Sequence, residues 1–234
     1  MAGGADDHWL PLESNPDAIV GYLQGLGLCA DAFDCVDVYG TDPDLLAMVP
    51  PGVLAVLCVF PITDASEQHR RQEAKTQAAS VPDGVWYTKQ TVSNACGTVA
   101  LLHAVYNNLD RLRLQPGKFF DDFHRRTLRQ SPDGRAESLA GDDSIKEAHH
   151  DAAAQGQSDL PDDLENVNLH FVTLTCIRGR LYELDGRKKG PIDHGPTSRE
   201  ALLHDAVAVV KQFMGRDPDS VRFSMVAIVE RQDS

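Results

Sequence analysis

Apolar positions divide the chain into strand-like and helix-like stretches. Val53 to Phe60 is an unbroken apolar run, largely β-branched, which predicts a central strand buried on both faces. Leu169 to Leu184 holds two extended runs on either side of Arg178-Gly179 and predicts a hairpin. Val85 to Lys89 reads as extended, and Val221 to Val229 as a closing strand. Asn15-Pro16 supplies an N-cap and first helical position for a helix that stops near Gly25 and Gly27, and Asp42-Pro43 repeats the signal before a short helix ending at Pro50-Pro51. Helical patterning returns over Ala95 to Asn108, Phe119 to Arg129 and Ala136 to Ala154. A long amphipathic helix is expected over Thr197 to Met214, with Thr197 and Glu200 as a capping box and Gly215 as its C-cap. Residues 65–83 are polar and read as surface helix or loop, and Gln155 to Asn166 reads as a surface loop. Strands and helices are interspersed, so the expected class is α/β or α+β. No internal repeat or low-complexity linker interrupts the chain, which predicts a single domain over residues 1–234.

Composition narrows the possible roles. Of 234 residues 42% are hydrophobic, enough for a sizeable core. With 22 Lys and Arg against 35 Asp and Glu the net charge is −13, which argues against a nucleic-acid binder and suits a basic partner. No run approaches the roughly 18 apolar residues of a membrane span. Met1 to His8 has no basic or apolar region of a signal peptide. The cysteines, Cys29, Cys35, Cys58, Cys96 and Cys176, are odd in number and form no C-x-x-C pair. A reducing compartment, cytoplasmic or nuclear, is the expectation. No phosphate-binding glycine motif occurs, so no nucleotide cofactor is expected. His149-His150-Asp151 does not read as a metal site, because adjacent histidines on a helix point to different sides. Arg125-Arg126 and Arg187-Lys188-Lys189 read as solvated basic faces.

Among the cysteines, Cys96 stands at the start of the apolar helix Val99 to Val105, where the helix dipole and free N–H groups favour a thiolate. Cys58 and Cys176 lie in strand patterns and read as packing. A thiolate nucleophile wants a base. His170 lies in an ordered strand, with an acid at hairpin distance. If Arg178-Gly179 is a two-residue turn, Ile177 faces Arg180 and Val172 faces Asp185. Asp185 is then diagonal to His170 on the same face, with backbones about 7–8 Å apart. A carboxylate there can reach the imidazole and fix its tautomer. Gln90, six positions before Cys96, could join the Cys96 backbone N–H in binding an oxyanion. These residues alone leave open a binding module without turnover, or a thiol enzyme of a different fold with the same Cys–His–Asp order.

The flanks of these residues carry a resemblance. Trp9 to Pro16, Val36-Asp37-Val38-Tyr39-Gly40, Lys89 to Thr98, Leu169-His170-Phe171 and Leu181 to Lys188 resemble the ubiquitin carboxyl-terminal hydrolase family of cysteine peptidases, from about Trp9 to Val229. The likeness is to short single-domain members of the L3 isozyme type. The resemblance implies a papain-like sandwich with a central antiparallel sheet flanked by helices and a knotted backbone. It implies Cys96 as nucleophile, His170 as general base and acid, Asp185 as orienting carboxylate and Gln90 as oxyanion-hole donor. It also implies cleavage after the C-terminal glycine of ubiquitin through a thioester, with small adducts or short peptides released, and NEDD8 as a further substrate. A crossover loop over the active site is implied at about 147–166. Acidic residues that face ubiquitin in relatives match Glu13, Asp17 and Asp37, whereas a further glutamate of the family reads as Ser220 here. No metal and no cofactor is implied. A monomer, with no C-terminal extension for joining larger complexes, is expected.

Overall fold

The computed structural model describes residues 9–154, 168–218 and 222–231. Six strands form one antiparallel sheet: β1 (Phe33–Asp37), β2 (Val53–Pro61), β3 (Leu169–Ile177), β4 (Arg180–Leu184), β5 (Ile192–Pro196) and β6 (Ser224–Glu230). Their order is β1-β6-β2-β3-β4-β5. The helices are α1 (Pro16–Gly25), α2 (Pro43–Leu46), α3 (Asp64–Thr76), α4 (Cys96–Tyr106), α5 (Phe119–Thr127), α6 (Pro132–Ala140), α7 (Asp143–Ala154) and α8 (Leu202–Arg216). Every strand pair is antiparallel and helices cover both faces, so the class is α+β.

β2 explains the two-sided core. Its residues alternate between two apolar layers. Leu57 and Val59 join α1, α4 and α5 on one face, and Val56 and Cys58 join α8 on the other. A strand buried on both sides needs apolar residues at every position, which is why Val53 to Phe60 shows no polar alternation. Asn15 caps α1 as expected, accepting the Ala18 N–H at 3.1 Å. The Arg178-Gly179 turn has φ of 51° and 77°, both left-handed, and pairs Ile177 with Arg180 and Thr173 with Leu184. Two positive φ values are those of a type I′ hairpin turn, which Gly179 tolerates without strain.

Several expectations are corrected. Residues 85–89, read as extended, join no strand of the sheet; Val85 to Thr88 are buried. α8 starts at Leu202 rather than Thr197, because the Thr197 N–H is taken by the Gly179 carbonyl at 3.0 Å, prolonging the β5 edge. The Thr197 hydroxyl donates to Asp205 instead of capping, and Gly215 lies inside the helix with Asp217 at its C-cap. The stretch expected as one helix over Ala136 to Ala154 is two, broken at Gly141-Asp142. Asp142 there accepts the N–H groups of Ser144 and Ile145, ending one helix and starting the next. β1 and β5 had no sequence expectation; both are edge strands of five residues that take their order from the neighbouring strand rather than from an apolar pattern of their own. Of the implied crossover loop, residues 147–154 belong to α7, and 155–166 lie outside the described residues, as does Ser220.

Candidate active site

α4 is the most buried helix, with every residue from Gly97 to Tyr106 enclosed. Two threonines on one face of β3 fasten it. The Thr173 hydroxyl donates to the Ala100 carbonyl at 2.6 Å, and Thr175 accepts from the Asn108 side chain at 3.1 Å. α4 and β3 therefore run side by side with their N-terminal ends together. Cys96 opens α4 and His170 lies at the second position of β3, so this docking brings them into contact. The turn before Cys96 includes Asn94 at φ 60°, a left-handed position that asparagine adopts more readily than most residues. Gly97 lies under Leu12, whose Cδ1 would stand 2.9 Å from an added Cβ.

His170 is buried, and the Phe60 ring meets it edge-on at 5.7 Å. Its Nε2 donates to Asp185 Oδ1 at 2.7 Å. That leaves Nδ1 for Cys96, to which the imidazole is hydrogen-bonded. The type I′ turn is what permits this. Extending the observed pairing by one step sets Asp185 opposite Val172 and diagonal to His170, as a two-residue turn requires. Asp185 is held in turn by the Arg187 N–H on Oδ1 at 2.9 Å, and the Tyr87 hydroxyl reaches its carbonyl at 2.6 Å.

The electrostatics favour an ion pair. Burial alone would raise the Cys96 thiol. The hydrogen bond and positive charge of His170, with the Phe171 and Gly97 N–H groups, outweigh burial and hold the thiol below its usual value. Burial likewise opposes the imidazolium. The Asp185 charge and hydrogen bond, then the Cys96 sulfur, override that and raise His170 to about 9. Asp185 is buried, yet His170, Lys188 and the Arg187 N–H keep it well below the carboxylate range. Alkylation of Cys96 by a neutral haloacetamide should therefore begin at lower pH than for a free thiol. His170 should lose its proton only as pH passes about 9. A Cys96 alkylation midpoint near the ordinary ~8.5 would contradict the ion pair.

Gln90 sits beside this group. Its N–H donates to the Gly186 carbonyl at 2.9 Å and its Nε2 to the Val92 carbonyl at 3.1 Å, leaving a second Nε2 hydrogen. A Cβ on Gly186 would stand 2.8 Å from Val99 Cγ1 and 2.9 Å from Gln90 Cβ, so glycine is what lets the Asp185 turn pack against Gln90. Glu13 precedes α1, exposed Asp17 is in its first turn, and Asp37 ends β1. Ser14 bonds Ser224 at 2.8 Å, and Asp37 pairs with Val226, so Glu13 and Asp37 flank the same end of the sheet.

Two sequence expectations outside the Cys96–His170–Asp185 group change. Lys188 is buried against Glu183 and Glu73, and Arg187 pairs with Glu67 at 2.9 Å, so Arg187-Lys188-Lys189 is not a solvated face. His149 is buried and donates from Nε2 to the Leu10 carbonyl, while Nδ1 accepts from Thr98; neighbouring His150 is exposed. Among the described residues no group of three or more His, Cys, Asp or Glu could hold a metal, and no helix is long and apolar enough to cross a membrane.

Residues 9–215 match the profile of a family described as "Ubiquitin carboxyl-terminal hydrolase, family 1". The chain is 46% identical over 224 residues to ubiquitin carboxyl-terminal hydrolase 3 of Arabidopsis thaliana, covering 95% of this chain and 94% of that protein. It is 43% identical over 215 residues to ubiquitin carboxyl-terminal hydrolase of Aplysia californica, covering 92% and 99%. Its fold is similar to the crystal structure of the Trichinella spiralis UCH37 catalytic domain bound to ubiquitin vinyl methyl ester. The TM-score is 0.76 at 21% identity, over 98% of this chain and 97% of that one.

Proposed function

Because this chain belongs to the ubiquitin carboxyl-terminal hydrolase family and is a cysteine-type ubiquitin hydrolase, we propose that Cys96, His170, Asp185 and Gln90 carry out its chemistry. The observation that carries this assignment is the hydrogen-bonded series Cys96–His170–Asp185 at the N-terminus of a buried helix. The Cys96 thiolate attacks the carbonyl carbon of the last glycine of ubiquitin. The negative oxygen of the tetrahedral intermediate meets the Cys96 N–H, which as a first-turn helical donor has no intrahelical partner, and the spare Nε2 hydrogen of Gln90. His170 gives its proton to the leaving amine, and the C–N bond breaks to leave a thioester. Water enters, His170 takes its proton, and attack on the thioester releases the ubiquitin carboxylate and regenerates the thiolate. Asp185 keeps the ring oriented and its charge compensated throughout.

Small adducts and short peptides are the proposed leaving groups, with NEDD8 as a second ubiquitin-like substrate and a monomeric enzyme in the cytoplasm or nucleus. The family resemblance supports the first two, and the unpaired cysteines agree with a reducing compartment. A ubiquitin probe with a C-terminal electrophile tests the function. Covalent labelling at Cys96 is the expected result. Binding without labelling would mean a ubiquitin-holding module, and neither would remove ubiquitin as the substrate.

Glu13, Asp17 and Asp37 are the proposed contacts to ubiquitin's basic surface, supported by the common sheet end of Glu13 and Asp37, the exposure of Asp17 and the net charge of −13. Association should slow as salt rises, because screening removes steering. An on-rate indifferent to salt would dismiss these contacts.

A further inference from the structure

α3 is a helix without an apolar face. None of its residues is buried, and its sequence DASEQHRRQEAKT offers nothing to a hydrophobic core. Polar groups hold it, and nearly all of them reach one short segment, the run that follows Asp185. Glu67 pairs with Arg187 at 2.9 Å and Glu73 with Lys188 at 2.6 Å. Lys189 Nζ donates to the Ala74 carbonyl at 2.6 Å, and Gln77, one residue past the helix, donates to the Gly190 carbonyl at 2.7 Å. Moving toward its C-terminal end, α3 and the residue after it thus meet residues 187 to 190 in order.

The segment's backbone closes on the carboxylate. The Arg187 N–H donates to Asp185 Oδ1, the same oxygen that receives His170, and the Lys188 N–H donates to the Asp185 carbonyl at 2.9 Å. Phe60 and Arg70 help to enclose a cavity of about 20 Å³ between α3 and the His170–Asp185 pair, room for one water and not for an apolar side chain. From the sheet side Glu183 also holds Lys188 and the Tyr87 hydroxyl reaches the Asp185 and Lys188 carbonyls; from the α3 side the turn is held by the ion pairs and hydrogen bonds just given.

We propose that Glu67 and Glu73 are positioning residues for the hydrolysis: by holding Arg187 and Lys188 they fix the Asp185 turn, and through Asp185 the His170 ring. The inference rests on the triad proposed above. Glu67, Glu73 and Arg187 are partly exposed, and buried Lys188 keeps Glu183 when Glu73 is neutralised, so the variants should cost little folding stability, whereas small displacements of a catalytic group are costly to rate, up to ~100-fold for about 1 Å. The effect should therefore appear in chemistry more than in unfolding.

The test compares wild type with Glu67→Gln, Glu73→Gln and the double variant. It reads the pH profile of Cys96 alkylation by a neutral haloacetamide, which needs no ubiquitin, and kcat and KM on a fluorogenic ubiquitin amide. Expected are an alkylation midpoint shifted upward, a kcat lower by on the order of 10- to 100-fold in the double variant, and an unchanged KM. Glu67→Asp, which keeps the charge, should recover most of the single-variant loss. A depressed wild-type midpoint left unmoved by the variants, even where their thermal midpoint drops, overturns the positioning role alone. If the double variant does not fold, the same profile of wild type at low and high salt decides: a shift upward with screening supports the role, and no shift overturns it. If wild-type Cys96 alkylates as an ordinary thiol, the triad assignment fails and this inference with it.

Discussion

Replacing Cys96 with alanine is expected to lower turnover of a ubiquitin C-terminal amide by about 10⁵-fold or more, with ubiquitin affinity unchanged. The acyl-enzyme needs a nucleophile, and among the described cysteines only Cys96 is hydrogen-bonded to His170: Cys35, Cys58 and Cys176 are buried in the sheet, burial pushes the thiols of Cys35 and Cys58 far up, and Cys29 lies after α1 beside Arg113. What survives is whatever the Cys96 N–H and Gln90 contribute by polarising the carbonyl. The methyl group in place of the sulfur leaves α4 and its threonine fastenings untouched, so the variant should fold and bind. Hydrolysis and binding measured on one preparation check this. A loss of only a few-fold would place the chemistry elsewhere.

The second large effect is expected from Asp185→Asn, a loss of roughly 10²–10⁴-fold in turnover. An asparagine oxygen can still accept from His170 Nε2 and the Arg187 N–H, so the ring keeps its place. What disappears is the negative charge. Burial, now unopposed by that charge, pulls His170 down from about 9, and the alkaline limb of the pH–rate profile moves toward acid. The stability consequence has the same origin. A raised histidine stabilises the wild-type fold below its unfolded value of about 6.5, and this contribution is lost as pH rises through about 9. The variant should lack that dependence. An alkaline limb unchanged in Asp185→Asn would show that the carboxylate does not govern the imidazole.

Much of this was readable in the sequence, for reasons that differ by residue. The His170–Asp185 pairing followed from parity alone, since a two-residue turn admits one register and Arg178-Gly179 is such a turn. Cys96 was marked by its place at the start of an apolar helix. Arg187 and Lys188 were misread as solvated because charge in a sequence looks the same whether it faces water or a carboxylate partner. Glu183, which holds Lys188 and His194 from inside the sheet, lies in a strand pattern with no local sign of its partners. β1 and β5 escaped for a related reason. An edge strand is defined by a partner distant in sequence, and β1 takes its ladder from β6 almost two hundred residues later. Tyr87, which closes the Asp185 turn with its hydroxyl, sits in a segment that reads only as extended and whose task is tertiary.

The sheet order has a consequence for how the chain is made. β6 lies between β1 and β2, so the first of the six strands to leave the ribosome has no neighbour to join until β6, almost two hundred residues later, has emerged. A nascent chain stalled before Ser224 would leave β1 without its ladder and β2 open along one side, exposing two aggregation-prone borders at once. Pairing of β1 is thereby tied to the emergence of β6: a product cut before Ser224 loses the β1 end of the sheet, while the β5 end keeps its ladder.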